Sequence, residues 1–491
     1  MTAEPGGEPV RADIVFRNAY VVTLDDERRV YRDGYVAVSG RDIVAVGPDR
    51  SCTVEAGRTV DARGKAILPG LVNAHNHLDQ VLMRARFDDR PQPGAGMGGL
   101  MVTMHDLWSH AGEEISYRLV RLHMLDMLRA GTTAVHEQHF TNVPLDNMDG
   151  VLRAIDESGM RGFASRVHLS AEMIPPDARE SVDAVLAETE RLGKRWNSDR
   201  ITVTASPING TWVATDEELV ALREGVRELG VPFDLDLSGA EWRRTLAARG
   251  YTKGGAVRHA AEIGILDDQV SGGKSFNLEP DEYAIWAEHG VTACLVPPRT
   301  RDEMGPGLHH FLAVGVVPAM GNDGPMGGPK SSVWQVMRRL LTSVAVRKEY
   351  EERSGDTSDH DQPITTELLL EMATRAGQRH LFLDPRVRGI EAGAAADLVV
   401  VDISGPDFAP AMDGRRTLSY LVHSTDASHV ETVLVNGRVL VDGSRAAVWD
   451  EELVIREAEE AAMELFRRAG YLGTLPARGA GESSRGWAYI G

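Results

Sequence analysis

Alternating apolar and polar positions near both ends of the chain predict short β-strands. Four such runs, separated by turn residues, lie at residues 13–16, 19–23, 34–38 and 42–47. Two more occur near the other end, at residues 396–402 and 433–440. This alternation is typical of half-buried strands. We therefore expect residues 1–65 and 391–474 to form one composite β-sandwich domain, with the rest of the chain inserted between its two parts.

Between these segments, apolar runs alternate with amphipathic stretches. Six runs predict strands, at residues 132–135, 162–167, 201–205, 233–237, 291–295 and 316–320. Residues 217–229 and 281–289 are among the predicted helices. Strands that alternate with helices predict a parallel sheet of βα units. This pattern fits an α/β fold, a (β/α)8 TIM barrel over residues 66–390, with its active site at the C-terminal strand ends. Residues 475–491 are predicted to form a C-terminal tail.

Composition excludes several classes of function. The chain has 491 residues, is 42% hydrophobic and carries a formal net charge of −20, which would repel a nucleic-acid backbone. Cys52 and Cys294 are too few for a disulfide framework. No run reaches the ~20 apolar residues of a membrane span, and residues 1–11 lack the apolar core of a signal peptide. We therefore expect no membrane contact, a cytoplasmic location and, as is common for soluble enzymes, a homodimer or higher homo-oligomer.

The pair His75 and His77 is the strongest chemical signal in the chain. The pair ends an apolar run over residues 66–74. Side chains two apart on a strand point the same way, so both imidazoles leave the mouth of a barrel strand together. Neutral imidazoles that converge in this way are typical of a metal site.

Several segments resemble the amidohydrolase superfamily, nearest its triazine hydrolase and aminohydrolase (deaminase) branch. Residues 68–77, with the sequence LPGLVNAHNH, resemble the first-strand signature of that family, and residues 78–84 resemble the segment that follows it. Further similar segments lie at 125–133, at 321–324 (GNDG, the last-strand motif), at 396–399 and at 435–437. The resemblance covers roughly residues 12–470. It implies the same barrel and composite β-domain.

The resemblance also implies a ligand set. In that family the metal is held by the first-strand histidine pair, by histidines of the fifth and sixth strands and by the last-strand aspartate. His75, His77 and Asp323 match three of these positions, whereas Asp236 and Lys274 stand where the other two histidines belong. The metal site is therefore atypical. The resemblance implies either one divalent ion, zinc or iron, with Asp236 as a further ligand, or no cofactor.

A glutamate of the family is also missing. Gly239 stands at its position, and Glu241, two residues further on, is the candidate substitute. The fourth-strand region, residues 206–210, lacks the histidine common in this branch. These departures fall at the site, whereas the scaffold motifs are kept.

Three functions follow from this set of residues. With an ion, bound water is acidified, Asp323 is the candidate base and Lys274 a candidate electrophile, which gives a hydrolase or deaminase acting on a carbon–nitrogen bond. Without an ion, Lys274 pairs with Asp323 and Asp236, and a Schiff base or acid–base chemistry gives a lyase, decarboxylase or isomerase. The third function is that of a non-catalytic binding protein, in which Lys274 forms a structural salt bridge.

Other residues are candidates for binding a small polar substrate, for which a heterocycle is one expectation, because they lie near the predicted strand ends, where recognition is usually built. These are Gln80, His139, His168, Trp212, Trp242 and Arg299. The partners that the sequence predicts are therefore a small molecule and further copies of the chain.

Overall fold

The structure is a computed structural model, and it describes residues 10–84, 97–237, 239–275, 278–298, 307–325, 331–355, 362–410 and 414–470. Arg299 and the tail predicted at 475–491 lie outside these ranges. Within them, no helix is long and apolar enough to cross a membrane.

The strands of the described residues are β1 (Arg11–Val22), β2 (Val30–Ser39), β3 (Asp42–Pro48), β4 (Glu55–Asp61), β5 (Lys65–Pro69), β6 (Leu71–Asn73), β7 (Thr132–His139), β8 (Arg161–Val167), β9 (Ile201–Ser206), β10 (Phe233–Asp236), β11 (Val270–Gly273), β12 (Thr292–Leu295), β13 (Ala319–Met320), β14 (Leu398–Asp402), β15 (Val430–Val435), β16 (Arg438–Asp442) and β17 (Arg445–Ala446).

The α-helices are α1 (Met97–Trp108), α2 (Glu113–Arg129), α3 (Asn147–Ser158), α4 (Val182–Trp196), α5 (Asp216–Glu228), α6 (Gly239–Ala248), α7 (Ala256–Glu262), α8 (Glu282–Glu288), α9 (Leu308–Ala313), α10 (Val333–Arg353), α11 (Thr366–Glu371), α12 (Gly377–His380), α13 (Gly414–Ser424) and α14 (Glu451–Arg468).

The two ends of the chain share one nine-stranded sheet. Its order is β17-β16-β15-β14-β5-β1-β2-β3, and β4 pairs with β1. The antiparallel pairing of β5 with β14 joins the N-terminal and C-terminal segments. Because β5 belongs to this sheet, the domain boundary predicted at residue 66 falls inside a strand. The division into domains otherwise stays a prediction.

Alternation along β14 explains how this sheet is anchored. Leu398 and Val400 pack into an apolar cluster within the composite β-domain, whereas Val399 and Val401 pack into the large core shared with the barrel. Successive side chains point to opposite faces of a strand. Both faces of the sheet are therefore buried at β14, and one of them packs against the core shared with the barrel.

The eight strands β6 to β13 form the predicted (β/α)8 barrel. They pair in parallel as two groups of four, β6-β7-β8-β9 and β10-β11-β12-β13. Backbone hydrogen bonds connect the groups at both seams: Asp236 N donates to Ile208 O at 2.6 Å, and Ala74 N donates to Met320 O at 2.9 Å. All strands run the same way, so their C-terminal ends meet at one mouth.

Two predicted elements differ from the structure. Residues 13–16 and 19–23 are predicted as separate strands, but β1 continues through both, and only its pairing register with β2 shifts near Asn18, which has a φ of 59°. The strand predicted at 132–135 continues to His139 as β7. Its last four residues are polar yet buried, so the apolar pattern ends before the strand does.

Candidate active site

Five of the predicted site residues meet at the mouth of the barrel. His75 and His77 follow β6, Asp236 ends β10, Lys274 follows β11, and Asp323 follows β13. All five are buried. The barrel topology brings together side chains that lie up to 248 positions apart, from residue 75 to residue 323.

Glycines allow these segments to approach so closely. A β-carbon built at Gly321 would lie 2.4 Å from the backbone nitrogen of His75. One built at Gly273 would lie 2.5 Å from Oδ1 of Asp236 and 3.2 Å from Nδ1 of His75. A larger residue at either position would push the two strand ends apart.

Lys274 and Asp323 both adopt left-handed backbone conformations, with φ values of 49° and 59°. Residues other than glycine rarely adopt this conformation, and it costs about 1–2 kcal/mol. Such backbone strain clusters at functional sites. The turn at Asp323 is held by its own N–H, which donates to the carbonyl of His75 at 3.0 Å.

The hydrogen bonds of His77 fix which ring nitrogen carries its proton. Nδ1 lies 2.8 Å from the carbonyl oxygen of Gln138, which can only accept, so Nδ1 is the protonated nitrogen of the neutral ring. Nε2 then presents a lone pair, and it lies 3.2 Å from Oδ1 of Asp323. Nε2 of His75 approaches the same oxygen at 3.5 Å. Acceptor atoms this close together require a positive charge or a proton donor near them.

Lys274 supplies a positive charge at this point. Its Nζ lies 3.1 Å from Oδ1 of Asp323 and 3.5 Å from Oδ2 of Asp236. The other oxygen of Asp236 faces Nδ1 of His75 at 3.8 Å. The ammonium group therefore connects two buried carboxylates that belong to different strands.

Burial dominates the protonation of this group. It lowers the pKa of His75 to about 3 and also lowers the pKa of His77, although Asp323 raises both. Burial raises the pKa of Asp236 to about 7, against the opposing effect of Lys274. Both imidazoles are thus neutral at pH 7, as metal ligands or hydrogen-bond acceptors need to be.

A second ion pair lies deeper in the barrel. Nε2 of His136 is 3.2 Å from Oδ2 of Asp234 and 3.1 Å from Oγ of Ser165. Burial opposes a charge on His136, but Asp234 outweighs it, so the pKa of His136 is raised, while that of Asp234 is lowered despite its burial. Gln138 links this pair to the mouth: its Nε2 donates to Asp234 at 3.0 Å and reaches Oδ1 of Asp236 at 3.4 Å.

Sequence reasoning did not assign Asp234 to the site. Its spacing from Asp236 could have indicated this position, because residues two apart on β10 share a face. Asp234 therefore points into the barrel below Asp236.

Asp79, Glu137 and His139 form a further buried cluster beside the histidine pair. Oε1 of Glu137 lies 3.2 Å from Nδ1 of His139, and the hydroxyl of Thr141 donates to Asp79 at 2.6 Å. The second oxygen of Glu137 accepts the backbone N–H of Leu78, next to His77. Burial raises the pKa of Glu137 to about 8 and that of Asp79 to about 7. This cluster contains His139, one of the residues predicted to bind substrate.

The other predicted substrate contacts occupy different environments. Gln80 is buried beside Gly324, next to Asp323. His168 lies 3.6 Å from Glu218 of α5. Trp212 packs in an apolar cluster above the barrel strands, and Trp242 of α6 packs in the main core. Their roles in binding stay predictions.

Two further candidates fall partly or wholly outside the described atoms. The backbone of Glu241 lies in α6, but its side chain is not described. Arg299 lies outside the described residues. Neither prediction is tested by the geometry.

The donor set matches part of a metal site. One ligand atom each from His75, His77 and Asp323 lie within 4.8 Å of one another, as a two-histidine, one-carboxylate site requires. Asp236 does not extend this set, because it faces Nδ1 of His75 whereas Asp323 faces Nε2. Lys274 opposes it. A divalent ion about 4 Å from an ammonium is repelled by about 8 kcal/mol at an effective dielectric constant of about 20. With Lys274 in this position, the residues do not fit the ion.

Comparisons with known proteins identify the family. The profile described as "Amidohydrolase family" matches residues 66–440, which is more than half of the chain. The chain belongs to the amidohydrolase family. This confirms the resemblance noted in the first-strand and last-strand motifs.

Curated relatives align over nearly the whole chain. A 5-methylthioadenosine/S-adenosylhomocysteine deaminase of Pelotomaculum thermopropionicum is 27% identical over 474 residues, which cover 93% of this chain and 100% of the relative. A 5'-deoxyadenosine deaminase of Methanosarcina mazei is 27% identical over 467 residues, with 93% and 99% covered.

Solved structures show the same fold. A variant of the atrazine chlorohydrolase of Arthrobacter aurescens, complexed with zinc and atraton, has a TM-score of 0.78 at 23% identity and covers 91% of this chain and 99% of its own. An adenosine deaminase from Xanthomonas campestris with bound zinc has a TM-score of 0.79 at 23% identity, with 94% and 100% covered. Together, the comparisons confirm the predicted fold and the predicted class, a hydrolase acting on carbon–nitrogen bonds.

Proposed function

We propose that this protein is a hydrolytic deaminase that removes the amino group from a nitrogen heterocycle of a small polar molecule, and that the heterocycle is an adenine-type purine. One observation carries the proposal: His75, His77 and Asp323 converge at the barrel mouth. The purine is supported by the names of the relatives that align along the whole chain.

Asp323 is the proposed base. In hydrolytic deamination the oxygen of water bonds to the ring carbon that bears the amino group, and the water proton passes to the base. The carbon–nitrogen bond then breaks, and the leaving nitrogen takes up the proton and departs as ammonia. Asp323 suits this role because it is fully buried and lies within 3.5 Å of His75, His77 and Lys274.

The reaction also needs positive charge beside the attacking water. A divalent ion does not fit beside Lys274, so the ammonium group of Lys274, 3.1 Å from Oδ1 of Asp323, is the proposed source of this charge. Ammonia release does not depend on the source of the charge, so the proposed function is testable on its own.

The contacts of Lys274 do not favour the Schiff-base alternative. A Schiff base requires a neutral amine, whereas Nζ of Lys274 is placed between Asp323 and Asp236, which stabilise its charged form. We therefore propose hydrolysis rather than lyase, decarboxylase or isomerase chemistry.

A homo-oligomer and a cytoplasmic location stay predictions.

The test is ammonia release by purified protein from 5'-deoxyadenosine, 5'-methylthioadenosine, S-adenosylhomocysteine and an amino-substituted triazine. Each is assayed with added zinc, with added iron and with a chelator. Asp323→Asn keeps the size of the side chain but removes its charge and its ability to take up a proton, and we expect it to lower kcat/KM by about 10²- to 10⁴-fold. Release from a purine alone supports the full proposal. Release from no compound, by protein with an intact circular dichroism spectrum, contradicts it.

A further inference from the structure

We infer that the ammonium group of Lys274 takes the place of a divalent ion at this site, so that the barrel carries its own cation. The inference rests on the proposed function for its catalytic meaning. The distances and contacts that support it do not depend on that function.

The first support is the arrangement of charges. Lys274 Nζ contacts Asp323 at 3.1 Å and Asp236 at 3.5 Å, and both carboxylates are buried. Two carboxylates at one buried position require compensating charge. The ammonium supplies it where a metal would otherwise be needed.

The second support is the match of donors and acceptors. Nε2 of His75 and Nε2 of His77 approach Oδ1 of Asp323 at 3.5 and 3.2 Å. Nε2 of His77 is an acceptor when the ring is neutral and protonated at Nδ1, and Oδ1 of Asp323 is an acceptor when the carboxyl group is ionised. An ammonium group offers three N–H donors, and it lies against the shared oxygen of Asp323. Lys274 therefore lies against the carboxylate oxygen that both imidazoles face.

The third support is the backbone that carries Lys274. Its φ of 49° is unfavourable for lysine, and it follows directly after Gly273, whose α-hydrogen faces Asp236 and His75. A lysine on the surface would not need this conformation. The strained turn after β11 places the side chain at the mouth.

Through these contacts Lys274 acts as a positioning residue. It holds Asp323 toward the histidine pair and compensates its charge, and it excludes a divalent ion by repulsion. Removing the ammonium should open the His75, His77 and Asp323 set to a metal.

The experiment measures metal binding by the full-length protein. Wild type, Lys274→Ala and Lys274→Gln are dialysed against zinc or cobalt(II), and bound metal is counted by plasma mass spectrometry. Cobalt coordination is followed by its visible absorption bands. Lys253→Ala, which removes an exposed lysine near Glu262, is the matched control. Lys274→Gln removes the charge but keeps most of the side chain and its polar end, in case Lys274→Ala does not fold.

We expect wild type and Lys253→Ala to bind less than about 0.2 equivalents, and a folded Lys274 variant to bind about one equivalent with cobalt bands. Adding His75→Ala to that variant should abolish the gain. Equal metal content in wild type and the Lys274 variants, whether high or low, would overturn the inference. No substrate is used, so failure of this test is distinct from failure of the ammonia-release assay.

Discussion

Gly273 lies directly against Asp236, so that a β-carbon built on the glycine would be 2.5 Å from Oδ1 of the carboxylate. The same β-carbon would be 3.2 Å from Nδ1 of His75. Because Gly273 is in β11 and its backbone conformation is open to any residue, the constraint is steric and not conformational.

Gly273→Ala should therefore displace Asp236 and the neighbouring Lys274 without unfolding the barrel. Misplacement of catalytic groups by about 1 Å costs on the order of 10²-fold in rate. We expect a loss of that size in kcat/KM, measured by ammonia release. Gly405→Ala, at a position with nothing within 4 Å, is the control and should keep wild-type activity. Full activity in Gly273→Ala would show that Asp236 and Lys274 do not need this placement.

Arg161 and Asp397 join the barrel to the composite β-domain. Nε and Nη2 of Arg161 donate to the two carboxylate oxygens of Asp397 at 2.7 and 3.0 Å, and both side chains are 3% exposed. Nη2 also donates to Asn436 at 2.6 Å. Removing one partner leaves a buried charge without compensation.

Arg161→Met or Asp397→Asn should lower the free energy of unfolding by about 3–5 kcal/mol, measured by urea denaturation. The double variant removes both charges, so its loss should be smaller than the sum of the two single losses. Additive single losses, or losses below about 1 kcal/mol, would mean that this pair does not couple the two parts of the fold.

Glu137 should make stability depend on pH. Burial raises its pKa from 4.5 to about 8, while the backbone N–H of Leu78 and the charge of His136 oppose this shift. A raised carboxyl pKa stabilises the fold fully below the unfolded value and loses that contribution as pH rises through the folded value. Asp79 and His139 face the same group, and burial also raises the pKa of Asp79, to about 7.

The test is Glu137→Gln, which accepts the same hydrogen bond but does not ionise. Between pH 4.5 and 8, wild type should lose stability relative to this variant with a slope of up to about 1.4 kcal/mol per pH unit. Glu190→Gln, on the exposed surface of α4, should keep the wild-type profile. Parallel profiles for wild type and Glu137→Gln would show that Glu137 ionises normally in the folded protein.

The scaffold was predictable because it depends on periodic patterns and on motifs. Apolar runs predicted the strands β7 through β10, and the motifs around His75 and Asp323 indicated the amidohydrolase family. The length of β7 was not predictable from apolar periodicity, because His136 to His139 are polar residues buried inside the barrel.

Five residues that meet at the barrel mouth were predictable, but their contacts were not. Alignment placed Asp236 and Lys274 at the mouth, where they lie. Which oxygen or nitrogen each group faces depends on strand register and on the turns at Lys274 and Asp323, which local sequence does not specify. The partnership of His136 with Asp234 was missed because it joins two strands 98 positions apart.

The replacement of a metal ion by Lys274 is tested most directly by anomalous X-ray diffraction from crystals of the wild-type protein grown with zinc and recorded on both sides of the zinc absorption edge. We expect no anomalous peak among His75, His77 and Asp323, with Nζ of Lys274 at the 3.1 Å contact with Asp323. A strong peak at that point, with Lys274 turned away from Asp323, would contradict it.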